Sequence, residues 1–129
     1  MATTNVLLDT NILMELFFNR AKSQAVVQAM TALPQDSVNT ISVLSLSTLL
    51  YYVEAENIDK TTAYAFLDGF KVLDMNNDDY MWAKLNDQGD FEDGLQVSCA
   101  LRHGCQKLVT LDQKFKSMYG RYLAIQTIQ

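Results

Sequence analysis

Three aspartates stand where a carboxylate can do chemistry. Asp9 ends the apolar run Val6-Leu7-Leu8, and Thr10, Asn11 and a helix-like run from Ile12 to Phe18 follow it. Apolar run, polar turn and helix is how a buried parallel strand passes into a helix. In open parallel sheets chemistry collects outside the carboxyl ends of the strands. Asp112 repeats the arrangement just after a strand expected over Lys107 to Thr110. Asp93 lies in the first turn of a helix expected over Asp90 to Arg102, on one stripe with Val97, Ala100 and Leu101. A carboxylate heading a stripe that faces a sheet needs a partner. Few basic residues are near it in sequence, which makes a cation a natural candidate.

Each acid also has a plainer reading. Asp9 can be a turn residue beside an N-cap at Thr10 or Asn11, and Asp90 and Glu92 suit an N-cap and a first helical turn. Asp93 is the one this explains least well. Three such acids come without a zinc-type cysteine cluster or a glycine-rich phosphate loop, and so suggest hard oxygen ligation. Mg²⁺ or Mn²⁺ fits that donor set. Such an ion lowers the pKa of a bound water and neutralises a phosphate oxygen during in-line attack.

The elements that must position these acids alternate strand and helix. Arg20 to Leu33 carries Ala25, Val26, Ala29, Met30 and Leu33 at helical spacing, and Pro34 and Asp36 close it. Val38 to Ile41 is a second strand. Ser45 then reads as an N-cap, with Leu44 and Leu49 as a hydrophobic staple and Leu46, Leu49, Leu50 and Val53 as the buried face. Asp59 opens a helix through Phe70, and Lys71 to Asp74 is a third strand. Asn77 to Leu85 forms a helix with Met81, Leu85 and Trp82 inward. Gly104 ends the helix that Asp90 begins, with Arg102 and His103 suited to its last turn. Gln113 to Met118 is a short helix and Leu123 to Ile128 a terminal strand. The expected architecture is a three-layer α/β/α sandwich around a mostly parallel sheet, one domain over residues 1–129.

Composition narrows the partners. The chain has 129 residues, 49% of them apolar and one of them proline, which suits a single packed core. No apolar run is long enough to cross a bilayer, and Met1 to Asn5 does not read as a signal peptide. Cys99 and Cys105 have no metal-ligand spacing and fit reduced thiols of a cytoplasmic protein. His103, the sole histidine, reads as a helix C-terminal charge. The formal net charge of −5 disfavours loose binding to nucleic acid but not a nucleic-acid enzyme whose acids surround a cation.

Three segments together carry a family resemblance: Leu8-Asp9-Thr10-Asn11-Ile12-Leu13, Asp90-Phe91-Glu92-Asp93-Gly94-Leu95 and Val109-Thr110-Leu111-Asp112-Gln113-Lys114-Phe115. In this order and spacing they resemble the motifs of PIN domains, including the VapC-type toxins of bacterial toxin–antitoxin pairs. The resemblance runs from Val6 to about Ile128. It implies a Mg²⁺- or Mn²⁺-dependent ribonuclease, frequent homodimers and a small antitoxin that blocks the site. It carries over Asp9, Asp93 and Asp112 as metal-binding catalytic acids, with Asp90 beside them, and Asn11 as the residue that orders the first turn.

One position departs from the pattern. The family usually has a glutamate on the helix after the second strand, and here Thr48 occupies that place. Asp90 or Glu92 is placed to compensate in part. Lys114, Lys116 and Arg121 form the densest basic cluster, suited to RNA phosphates or to a solvated helix face, and Tyr51 and Tyr52 to base stacking or to packing. The competing readings are a PIN-like binding module with weakened catalysis, favoured by Thr48, and phosphoryl-aspartate chemistry at Asp9, disfavoured by Asn11 and by an acid on a helix at Asp93.

Overall fold

A computed structural model describes residues 3–129. The chain alternates as expected: β1 (Thr4–Leu8), α1 (Thr10–Phe17), α2 (Ser23–Thr31), β2 (Ser37–Ser42), α3 (Val43–Ala55), α4 (Lys60–Leu67), β3 (Lys71–Leu73), α5 (Asn77–Leu85), α6 (Phe91–Arg102), β4 (Lys107–Thr110), α7 (Gln113–Tyr119) and β5 (Ala124–Thr127). The five strands form one sheet in the order β3-β2-β1-β4-β5. Every pairing is parallel, with Leu7 opposite both Thr40 and Leu108.

The side-chain period of two along β1 divides the core. Val6 and Leu8 pack with Ile12, Leu13, Leu49 and Val53, under α1, α3 and α4. Leu7 packs on the other face with Val97, Leu108, Phe115 and Tyr119, under α6 and α7. All three β1 residues are fully buried, worth roughly 1.5–3 kcal/mol each relative to exposure. The chain leaves β1 towards β2 and β3, then returns to place β4 on the other side of β1. The β1–β4 boundary is therefore the topological switch point, and its carboxyl edge is where an open α/β sheet leaves a crevice.

Several local expectations are revised. Ser42, not Ser45, caps α3: its Oγ accepts from the Ser45 backbone N–H at 3.1 Å. Strand β2 runs as far as Ser42, so the helix begins three residues earlier and Leu44 lies inside it. The single helix expected over Arg20 to Leu33 shortens to α2, and Arg20 lies in the turn before it. Helix α5 does not turn Met81 and Leu85 inward; both are exposed, while Asp79 and Ala83 are fully buried. The reason is the tight seam with α6. A Cβ on Gly94 would sit 3.2 Å from the Ala83 Cβ. That approach turns the small-residue face of α5 to its neighbour and brings Asp79 with it. Asp79 then accepts from Ser98 Oγ at 2.8 Å and pairs with Arg102 at 2.8 Å. Arg102 and His103 also reach Asp74 at 3.1 and 2.9 Å, so the histidine faces a carboxylate rather than a thiol. Cys99 and Cys105 are free and buried.

Candidate active site

Asp9 carries several of the hydrogen bonds that hold the carboxyl edge of β1. Its backbone N–H donates to Val109 O at 2.9 Å, extending the β1–β4 ladder by one residue. Its carboxylate caps α1, with Oδ1 accepting from Thr10 N at 2.8 Å and from Gln96 Nε2 at 3.2 Å. Oδ2 accepts from Thr110 Oγ1 at 2.7 Å. Asp9 is only 6% exposed. Burial pushes its pKa up, against the pull of Thr110, Thr10 and Gln96, while the charge of Asp112 adds to the rise.

Asn11 fastens α1 to the end of β4: Nδ2 donates to Thr110 Oγ1 at 3.2 Å and Oδ1 accepts from Leu111 N at 3.1 Å. It lines the cleft, but both ends of its amide are engaged in the scaffold.

Asp93 stands across the cleft from Asp9, one turn into α6. Its Oδ2 is buried and has no hydrogen-bond partner. Its pKa is pushed up to about 8, first by burial, then by the charges of Asp9, Asp90 and Asp112 and by a hydrogen bond with Asp90. Asp90 itself is exposed and caps α6, accepting from Asp93 N at 3.1 Å. Asp112 caps α7, accepting from Lys114 N at 2.9 Å, and its own N–H donates to Thr110 Oγ1 at 3.0 Å.

The cleft has a volume of about 380 Å³ and is lined by Asp9, Thr10, Asn11, Met14, Arg20, Leu44, Thr48, Tyr52, Glu92, Asp93 and Gln96. Thr48 faces it, although its hydroxyl is spent on Leu44 O at 2.9 Å. Asp90, Asp112 and Lys114 do not line it. Arg20 is its one cation, standing 5.4 Å over the Phe18 ring. Tyr52 is 42% exposed on the cleft wall, and its neighbour Tyr51 is 67% exposed.

The sequence reading gave Gln96 no role, and placed Ser45 as an N-cap and Arg20 at a helix start without a part in the site. The signal for Gln96 was its spacing: three residues after Asp93, it must share that residue's helical face.

Among the described residues, no three histidine, cysteine, aspartate or glutamate side chains stand close enough together to share one ion. The donor set nonetheless fits a hard divalent cation. Mg²⁺ is commonly held through one or two carboxylates while keeping several waters. Three carboxylates line this cleft, Asp9, Glu92 and Asp93, and Asp93 has a buried oxygen that nothing satisfies. The surrounding acids raise a charge cost that a dication would cancel.

A family model of the PIN domain matches residues 6–121. The chain belongs to the PIN domain family. Its members are generally metal-dependent nucleases. Solved structures agree on the fold. VapBC2 from Rickettsia felis, bound to a promoter DNA fragment, is 20% identical with a TM-score of 0.74, over 98% of this chain and 100% of that one. A toxin–antitoxin complex from Klebsiella pneumoniae is 22% identical with a TM-score of 0.73, over 95% and 96%. VapC20 from Mycobacterium tuberculosis, a toxin that cleaves the sarcin–ricin loop, is 15% identical with a TM-score of 0.68, over 87% and 93%. No curated protein matches the chain at a significant level. No helix among the described residues is long and apolar enough to cross a membrane.

Proposed function

We propose that this PIN domain, a single domain over residues 1–129, is a divalent-metal-dependent ribonuclease and the toxin of a toxin–antitoxin pair in the cytoplasm. The observation that carries the reading is the unsatisfied Asp93 Oδ2 opposite Asp9, in a cleft at the switch point of the sheet. Asp9 and Asp93 would hold Mg²⁺ or Mn²⁺, with Asp112 and Asp90 adding negative potential from the helix caps beside them. When bound, the cation supplies Lewis-acid stabilisation of the phosphate and a more acidic attacking water.

The protein's own groups set the rest. Thr110, Thr10 and Gln96 fix the Asp9 carboxylate, and Asn11 holds the two strand ends in register. Arg20 offers a phosphate contact at the cleft wall and Tyr52 a face on which a base can stack, which suits single-stranded RNA. Lys114 and its neighbours lie outside the cleft, where they can meet a longer substrate. An antitoxin and a homodimeric state are part of the proposal, and the toxin–antitoxin complexes among the structural relatives support the antitoxin.

The test is cleavage of single-stranded RNA with Mn²⁺ or Mg²⁺ against chelator, with Asp9→Asn to exclude contaminating nucleases. Cation-dependent cleavage that Asp9→Asn abolishes is expected. Cleavage that survives both chelator and the substitution would refute the reading. One observation favours a second reading, a PIN-like binding module with weakened catalysis: α3 brings Leu44, Thr48 and Tyr52 to the cleft and no acid. That protein would bind RNA or a partner yet show no cation-dependent cleavage.

A further inference from the structure

Helix α6 carries a second polar side chain on the face of Asp93. Gln96 is 2% exposed on a helix otherwise buried through Val97, Cys99 and Ala100. A carboxamide taken out of water is costly unless its hydrogen bonds are remade. Its nitrogen is well served: Nε2 donates to Ser45 Oγ at 2.9 Å, and to Asp9 Oδ1 and Thr10 Oγ1, each at 3.2 Å. The Thr10 and Ser45 hydroxyls are themselves 2.7 Å apart. One amide nitrogen thus joins α3, the β1–α1 junction and α6 across the carboxyl edge of the sheet.

The identity of the two amide atoms follows from their neighbours. Reversing the amide would set an oxygen against the Asp9 carboxylate, acceptor against acceptor. Oε1 is therefore the other atom, and it is buried with no partner. Asp93 Oδ2 is in the same condition. Folded proteins rarely leave such acceptors unsatisfied. Here two of them belong to side chains three residues apart on one helix, both lining one cleft.

We propose that Gln96 is a positioning residue of the cation site, holding Asp9 through Nε2 and offering Oε1 to the hydrated cation. This rests on the metal-dependent reading of the cleft. The carboxylate of Asp9, gripped on Oδ1 by Gln96 and on Oδ2 by Thr110, cannot swing, so its remaining lone pairs keep one direction. A neutral carboxamide gives a donor and an acceptor without adding a further charge to a crowded group of acids. It also ties Ser45 on α3, which brings no acid of its own, to the carboxylate that does bind.

Calorimetric titration of the whole chain with Mn²⁺, alongside thermal unfolding in chelator, tests this. Wild type is compared with Gln96→Met, which keeps the length, and Gln96→Glu, which restores an acceptor oxygen at the same reach. Gln96→Met is expected to bind Mn²⁺ at least tenfold more weakly. Gln96→Glu is expected to unfold at a lower temperature in chelator yet to bind Mn²⁺ at least tenfold more tightly than Gln96→Met. A purely structural Gln96 would lower the unfolding temperature of both variants and leave the Mn²⁺ affinity of the folded protein within twofold of wild type. That result overturns the proposal while the nuclease reading stands. If Gln96→Met fails to fold, Gln96→Glu against wild type decides: a Mn²⁺ affinity within twofold of wild type overturns it. A wild-type chain that gives no Mn²⁺ binding overturns both.

Discussion

Replacing Asp93 by asparagine removes one charge and keeps the side chain's shape and its capacity to donate to Asp90. The ordinary pKa of this carboxyl is 3.8, and in the fold it stands at about 8. A raised folded-state value means that between those limits the folded chain holds a proton that the unfolded chain has released. The stability this contributes is fully present below pH 3.8 and is lost as pH rises through about 8. One proton gives at most about 1.4 kcal/mol per pH unit. Over this window a sealed carboxyl would give more than 5 kcal/mol, but Asp93 is only partly buried and water screens it, so about 2 kcal/mol is the working figure. In chelator, Asp93→Asn should match wild type near pH 4 and exceed it by about 2 kcal/mol near pH 8, roughly 5–10 °C in Tm. Excess Mn²⁺ at pH 8 should reverse the order, because it stabilises wild type and not the variant. The assay is thermal unfolding of both proteins from pH 4 to 8, with chelator and with Mn²⁺. Parallel curves throughout would show that the Asp93 charge is solvated and that the unsatisfied oxygen calls for no cation.

Two further predictions follow from the same geometry. Thr48→Glu places a carboxylate on the cleft wall, so it should tighten Mn²⁺ binding by roughly 1.5–3 kcal/mol, about one to two decades, in a calorimetric titration; equal affinities would mean that this part of α3 does not reach the cation. Arg102→Leu strips Asp79 of its cation while Asp79 stays fully buried, so urea unfolding at pH 7 should show a loss of about 3 kcal/mol. Burial opposes ionisation of Asp79, but Arg102, the Asn76 N–H and Ser98 outweigh it and hold its pKa below 3.8. That stability is present above pH 3.8 and lost as pH falls through the lower folded value, the opposite sign to Asp93. The Mn²⁺ affinity of Arg102→Leu should not change, because Arg102 lies nine residues, about 14 Å, along α6 from Asp93.

How far the sequence could be read depended on the range of the interaction. β1 is a short apolar run, and the other four strands are short stretches carrying Val or Ile between helical segments, so all five were legible, as was the α/β/α class. The Asp90 cap of α6 and the end of that helix at Gly104, whose φ is +68°, were legible for the same local reason. Three serines at 42, 45 and 47 made the start of α3 ambiguous, and the length of β2 decided it. The earlier start of α3 makes Thr48 the sixth rather than the third helical residue, and it faces the cleft because it stands at i, i+4 from both Leu44 and Tyr52, which line it too. The Asp79–Arg102 pair joins residues 23 apart, and the Gln96 hub reaches residues 51 to 87 apart. Periodicity carries no trace of such pairs.

The acids at this edge also explain why the strain falls where it does. Asp9, Asp90 and Asp112 each cap a helix and accept a backbone N–H at 2.8, 3.1 and 2.9 Å respectively. A cap of this kind is worth about 1 kcal/mol, and the positive end of the helix dipole favours the charged form. Asp93 sits in a first turn without capping anything, and its Oδ2 receives no donor. Burial comes first in pushing its pKa up to about 8, and the charges of Asp9, Asp90 and Asp112 add repulsion to it. A dication beside Asp93 removes that repulsion and supplies the missing partner together. In the proposed metal-dependent reading, local helix capping gathers the acids, and Asp93 is the side chain at which occupancy would be felt.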